Sequence, residues 1–174
     1  KKLNFNHPVK ELIWVNQDET VLTEGADGAA AGRDVSLNVG GAAMAVGNDF
    51  FNYEGALNRT QETIAGVVSN ESFGTMKLKL NGHDRFKERN ASYFRTCQPI
   101  QAGHRVPSKH IYCYYFALKP EEHQPSGTCN FSRIDTAQME FGGPTAPTGT
   151  LTVYAVNYNV LRIMSGMGGL AYSN

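Results

Sequence analysis

VKELIWVN, residues 9–16, decides the fold class. Val9, Ile13 and Val15 are apolar on one parity, and Leu12 and Trp14 on the other. A short run of this kind, bounded by His7-Pro8 and Asn16-Gln17-Asp18, reads as a β-strand buried on both faces. Just before it, Leu3 and Phe5 alternate with Asn4 and Asn6, a short edge-like strand. Further along, MKLKLNGHDR (76–85) alternates Met76, Leu78 and Leu80 with Lys77 and Lys79. That is a half-buried strand, and Asn81-Gly82 supplies the positive φ angles of a tight turn. HIYCYYFALK (110–119) is another strand, stopped by the turn PEEHQPSG between Pro120 and Pro125. TCNFSRIDTAQMEF (128–141) reads as a strand of imperfect parity, which predicts a bulge. GGPTAPTG (142–149) is a loop, and LTVYAVNYNVLRI (151–163) is one long strand or two around Asn157 to Asn159. SGMGG then turns into a last short segment, LAYS.

These seven to nine strands, with long loops and almost no helix, predict an all-β antiparallel β-sandwich with Greek-key connections. The expected core includes Trp14, Ile13, Leu78, Phe116, Val153 and Leu161. With 174 residues, the chain is read as a single domain, 1–174. Residues 25–47 hold six Gly and seven Ala, which have little to bury, so a long exposed loop is expected over about 17–74. Inside it, a short strand at Val35 to Val39 and a weak helical pattern at Leu57, Gln61, Ile64 and Val68 are the only ordered signals.

Charge and composition exclude several classes. Lys and Arg number 16 against 16 Asp and Glu, so no global field draws in nucleic acid or an anionic membrane. The longest strongly apolar run, Ile111 to Leu118, is far short of the ~20 residues that span a bilayer. The opening KKLNFNHPVK has no apolar secretory core and no initiator Met, which suggests a fragment or a processed product. Cys97, Cys113 and Cys129 are odd in number and lack C-x-x-C spacing, so they are read as reduced thiols.

A search for chemistry is negative. Neither a phosphate-binding G-x-x-x-x-G-K-[ST] nor a nucleophile elbow G-x-S-x-G occurs, and Gly166, Gly168 and Gly169 read as a turn. Cys97, His104, His110 and Cys113 match no common zinc spacing, and His110 and Cys113 fall on opposite faces of one strand. They read as a packed thiol and exposed histidines. Glu121-Glu122-His123 is read as a solvated turn, and Arg133 with Asp135 as an ion pair on one strand face. Arg85, Lys87, Arg89 and Arg95 are diluted by Asp84 and Glu88 and read as a solvated loop. No metal or cofactor is expected. Asn58, Asn70 and Asn90 are candidate glycosylation sites; the fourth sequon, Asn130, falls in a core-like strand.

Four blocks carry a family resemblance: NFNHPVKELIW (4–14), LNGHDRF (80–86), YFALKPEEHQPSGTCNFSRID (115–135) and NYNVLRIMSGMGGLAYSN (157–174). Together, about a third of the chain, they resemble the major capsid proteins of nucleocytoplasmic large DNA viruses, of the iridovirus and phycodnavirus type. The resemblance implies a viral jelly roll, the second half of a double jelly roll. It implies a structural, non-enzymatic role in the outer capsid of the virion, assembled in the host cytoplasm. Its implied partners are two further copies in a trimeric, pseudo-hexagonal capsomer, neighbouring capsomers and minor capsid proteins, with no direct nucleic acid and no membrane span. The 17–74 segment carries no such resemblance and would face outward.

Two other classes use the same architecture. A lectin-like jelly roll would need an exposed stacking platform, but the lone Trp14 sits in an apolar strand. A cupin-type enzyme would need H-x-H spacing, which His7, His83, His104, His110 and His123 lack.

Overall fold

The computed structural model describes residues 1–17, 53, 71–143, 147 and 149–172. Most of the expected loop, the strand at 35–39, the helical pattern at 57–68 and the sequons Asn58 and Asn70 lie outside these residues. The strands are β1 (Lys2–Leu3), β2 (Pro8–Gln17), β3 (Thr75–Leu80), β4 (His83–Asp84), β5 (Arg89–Asn90), β6 (Ile111–Tyr115), β7 (Cys129–Asn130), β8 (Ala137–Gly142), β9 (Thr150–Asn157), β10 (Leu161–Met164) and β11 (Met167–Leu170). A π-helical turn, Tyr93–Cys97, runs into a one-turn helix α1, Gln98–Gln101.

All pairing among the described residues is antiparallel. One sheet has the order β1-β8-β3-β4, with β5 also on β3. Its alternation is the one read from 76–85: Met76, Leu78, Ala137 and Met139 are buried. Lys77, Lys79 and Glu140 point to the other face, where Lys79 Nζ meets Glu140 at 2.8 Å. The turn at Asn81-Gly82 has the expected positive φ angles, 49° and 81°.

The second sheet is built on β2. β9 runs along one side of it, and β6 and β7 follow one another along the other. Lys10 is an extra residue against β9, because Val9 pairs with Asn157 and Glu11 with Val156. Such a bulge flips side-chain parity. Val9 on one parity and Leu12, Trp14 and Asn16 on the other therefore reach the same buried face. Val9 therefore joins the Leu12–Trp14 face although it shares parity with Ile13 and Val15. Ile13 and Val15, on the opposite face, are only half-buried.

Two of the crossings between the sheets meet at one corner. β1 and β8 belong to the first sheet, and β2 and β7 to the second. His7, at φ 71°, turns the chain into β2, and its N–H donates to Ser132 Oγ at 2.9 Å. The Phe131 N–H in turn donates to the His7 carbonyl at 3.1 Å. Residues 128–141 are therefore not one bulged strand. A 3₁₀ turn, Phe131–Arg133, capped by the Asn130 side chain, breaks them and moves the chain to the other sheet. The strand that would have set Arg133 beside Asp135 is absent there.

Ten aromatic rings form a continuous chain between the sheets. It runs Phe141, Phe73, Tyr112, Trp14, Phe94, Phe86, Tyr114, Phe116, Phe131, Phe5, with successive centroids 4.7–6.0 Å apart. Trp14 sits mid-chain and is wholly buried. Ser72 and Phe73, read as the end of the exposed loop, are buried. His7 is also buried, whereas Phe116 and Val153 pack against the core from half-buried positions. Leu161 does not belong to the core at all, being 65% exposed.

Trp14→Ala removes the ring that joins Tyr112 to Phe94. It should cost about 3–5 kcal/mol, read as a lowered urea midpoint. An unmoved midpoint would mean that the ring chain does not hold the sheets together.

Candidate assembly surface

The last two strands differ from the rest. Ser165 and Gly166 have φ of 53° and 78°, the geometry of a two-residue hairpin turn. Met164 and Met167 pair across it, so Gly168 and Gly169 lie inside β11 and only Gly166 of the three glycines makes the turn. Ile163 and Arg162 on β10 face bare glycines on β11, Gly168 and Gly169. Every residue of both strands is exposed. Leu161 is 65% exposed, Ile163 69%, Met167 75% and Leu170 64%. Asn159 fastens the base of the hairpin. Its Oδ1 accepts from the N–H groups of Val160 and Tyr172, and its Nδ2 donates to the Tyr172 carbonyl. The Tyr172 ring lies 5.4 Å from that of His7. The arm is thus anchored at its foot and bare along its length. A two-stranded hairpin is marginal in water by itself, and a contiguous apolar patch marks an interaction surface.

Two partly buried polar clusters support the body. The Arg95 guanidinium grips both carboxylate oxygens of Glu71 at 2.7–3.0 Å. The Tyr112 hydroxyl donates to Glu71 Oε2 and accepts from the N–H and hydroxyl of Ser72. Burial pushes the Tyr112 hydroxyl well above its ordinary range, so it stays a neutral donor. The network ties the start of β3 to the π-helical turn and β6.

The second cluster lies behind β2. The bulge turns Glu11 away from the core, yet Glu11 is only 5% exposed. Its carboxylate, His104 and Glu121 come together with their potential ligand atoms all within 4.8 Å of one another. Burial pushes the Glu11 carboxyl above its usual range; Lys10 opposes that and Glu121 adds to it. These three residues are scattered along the chain, so no local spacing could have joined them. The four residues weighed for zinc by spacing are not what the fold brings together. His104 leaves them for two carboxylates, Cys97 is exposed, and Cys113 is buried in β6. In the turn read as solvated, Glu121, Glu122 and His123 are all exposed. Asn90 is exposed on β5, and Asn130, expected in a core strand, is exposed as well.

The fold defines a jelly-roll sandwich with a bare apolar arm. The comparisons agree. The family model described as "Large eukaryotic DNA virus major capsid protein" matches residues 1–169, and the chain belongs to that family. It is 41% identical to the major capsid protein of Pyramimonas orientalis virus, across 99% of this chain and 38% of the relative. It is 40% identical to that of Paramecium bursaria Chlorella virus 1, across 99% of this chain and 43% of the relative. The solved PBCV-1 virus capsid (a quasi-atomic model) superposes with a TM-score of 0.67 at 39% identity, covering all of this chain and 45% of that one. The Faustovirus major capsid protein shares the fold, with a TM-score of 0.58 at 13% identity over 90% of this chain. The chain spans less than half the length of these relatives.

The thiols give a direct check on the layering. Cys97 is exposed, Cys129 half-buried and Cys113 buried, and burial raises the thiol pKa of Cys113 and Cys129. Folded protein should show one fast thiol toward dithiobis(nitrobenzoate), and denatured protein three. Rapid reaction of Cys113 in the folded state would refute the placement of β6.

Proposed function

We propose that this chain is a shell-building domain of a large icosahedral double-stranded DNA virus, the second jelly roll of a double-jelly-roll subunit. In this reading it works in the outer capsid, where three subunits form a pseudo-hexagonal capsomer that meets neighbouring capsomers and minor capsid proteins. Assembly would take place in the host cytoplasm, and the role is structural rather than catalytic. The observation that carries the reading is the β10–β11 arm, apolar and uncovered along its whole length. Specific interfaces bury about 1,200–2,000 Å² in total. A protruding arm of Leu161, Ile163, Met167 and Leu170 supplies the apolar centre of such a contact. Its occupant in this proposal is a neighbouring jelly roll, from the same subunit or from another copy.

The lectin-like alternative has lost its platform, because Trp14 is wholly buried. Of the described candidate sequons, Asn90 has the exposure that glycan transfer would require.

Leu161→Glu with Ile163→Glu should leave the far-ultraviolet circular dichroism unchanged, since neither side chain is in the core. Sedimentation velocity should show the wild-type chain associating weakly at high micromolar concentration and the double variant remaining monomeric. Equal association of the two would remove the arm from the interface.

A further inference from the structure

The pocket behind β2 has a chemistry that the capsid reading does not use. Glu11 is 5% exposed, and among the described residues no hydrogen bond reaches its carboxylate. His104 Nε2 is sealed from solvent and makes no hydrogen bond, although Glu121 Oε1 lies 3.3 Å away. Burying an ionisable carboxylate beside a second carboxylate is costly unless a positive charge compensates it. Lys10 is the nearby cation, but its ammonium is held by the Pro120 carbonyl and lies over the Tyr158 ring at 5.6 Å. The Tyr115 ring stacks on the His104 imidazole at 5.5 Å and fixes its plane.

We propose that Glu11, His104 and Glu121 form a binding site for a divalent transition cation of the zinc type. Three donor atoms within 4.8 Å of one another fit a common centre with small side-chain adjustment. Around tetrahedral zinc, ligands at ~2.0–2.2 Å stand about 3.3–3.6 Å apart, so the three side chains must close in by up to about 1.5 Å. One imidazole with two carboxylates suits zinc or manganese better than magnesium or calcium, which prefer all-oxygen sites. Three protein ligands leave a fourth position for water or for a donor from a neighbouring molecule. The cation would pin three distant elements: β2 through Glu11, the segment after α1 through His104, and the turn after β6 through Glu121. Its role is structural, and it compensates the buried Glu11 charge. The inference is independent of the shell-building proposal and of the β10–β11 arm.

The test is calorimetric titration of metal-depleted protein with zinc chloride in a non-coordinating buffer, alongside thermal unfolding. One equivalent should bind, and at about 100-fold excess over the dissociation constant the unfolding midpoint should rise by about 5–10 °C. Glu121→Gln, at an exposed position, and His104→Gln, at a half-buried one, should each weaken binding by at least about tenfold. Glu11→Gln should abolish the zinc response while leaving the midpoint in chelator no lower than that of the wild type. Cys97→Ser separates adventitious thiol binding. The proposal is overturned if zinc does not bind saturably, if Glu121→Gln and His104→Gln bind as tightly as the wild type, or if Cys97→Ser alone removes the binding.

Discussion

One extra residue in β2, Lys10, sets the arrangement of the whole second sheet. Without the bulge, Val9 and the Leu12–Trp14–Asn16 set would face opposite sides of the sheet. With it, all four reach the core, and Trp14 closes the chain of rings between the sheets. The bulged residue is also a junction. Its carbonyl accepts from the N–H groups of Phe116 and Ala117, just where β6 ends at Tyr115. Its ammonium holds the Pro120 carbonyl and so positions the turn that carries Glu121. The core, the end of β6 and the pocket behind β2 therefore depend on the same insertion.

Much of this was legible in the sequence, and the failures have physical causes. The alternation over 76–80 and the Asn81-Gly82 turn are local signals, and both stand in the fold as β3 and its turn. The split of 151–163 around Asn157 to Asn159 was open as one strand or two, and the fold chooses two because the Asn159 side chain bonds both sides of the hairpin base. Residues 128–141 misled because a 3₁₀ turn and a strand share apolar residues at similar spacing, and only the crossing between sheets tells them apart. Leu161 looked like core because apolar periodicity reports that a face will be covered, and not whether the same chain covers it. The Glu11–His104–Glu121 cluster left no local trace, since it depends on a bulge and on two contacts distant in sequence.

That distinction explains the division of labour in the molecule. The outer face of the first sheet is polar and cross-linked by ion pairs among Lys77, Lys79, Asp84 and Glu140. Exposed pairs of this kind add little stability but keep a sheet face soluble. The β10–β11 arm has the opposite character, with Arg162 its only charged residue among long aliphatic side chains and glycines. A domain in a shell needs both: faces that stay solvated, and at least one that does not. Membership of the large eukaryotic DNA virus major capsid protein family gives that asymmetry its meaning.

The central claim is that this jelly roll is built to be covered by others of its kind. Sedimentation velocity on a protein carrying a first jelly roll ahead of this chain, beside the 174-residue chain itself, tests it most directly. The account predicts a discrete trimer of the two-jelly-roll protein at micromolar concentration, with the β10–β11 arm protected from hydrogen exchange relative to the 174-residue chain. A two-jelly-roll protein that stays monomeric, with the arm exchanging as freely as in the 174-residue chain, would contradict it.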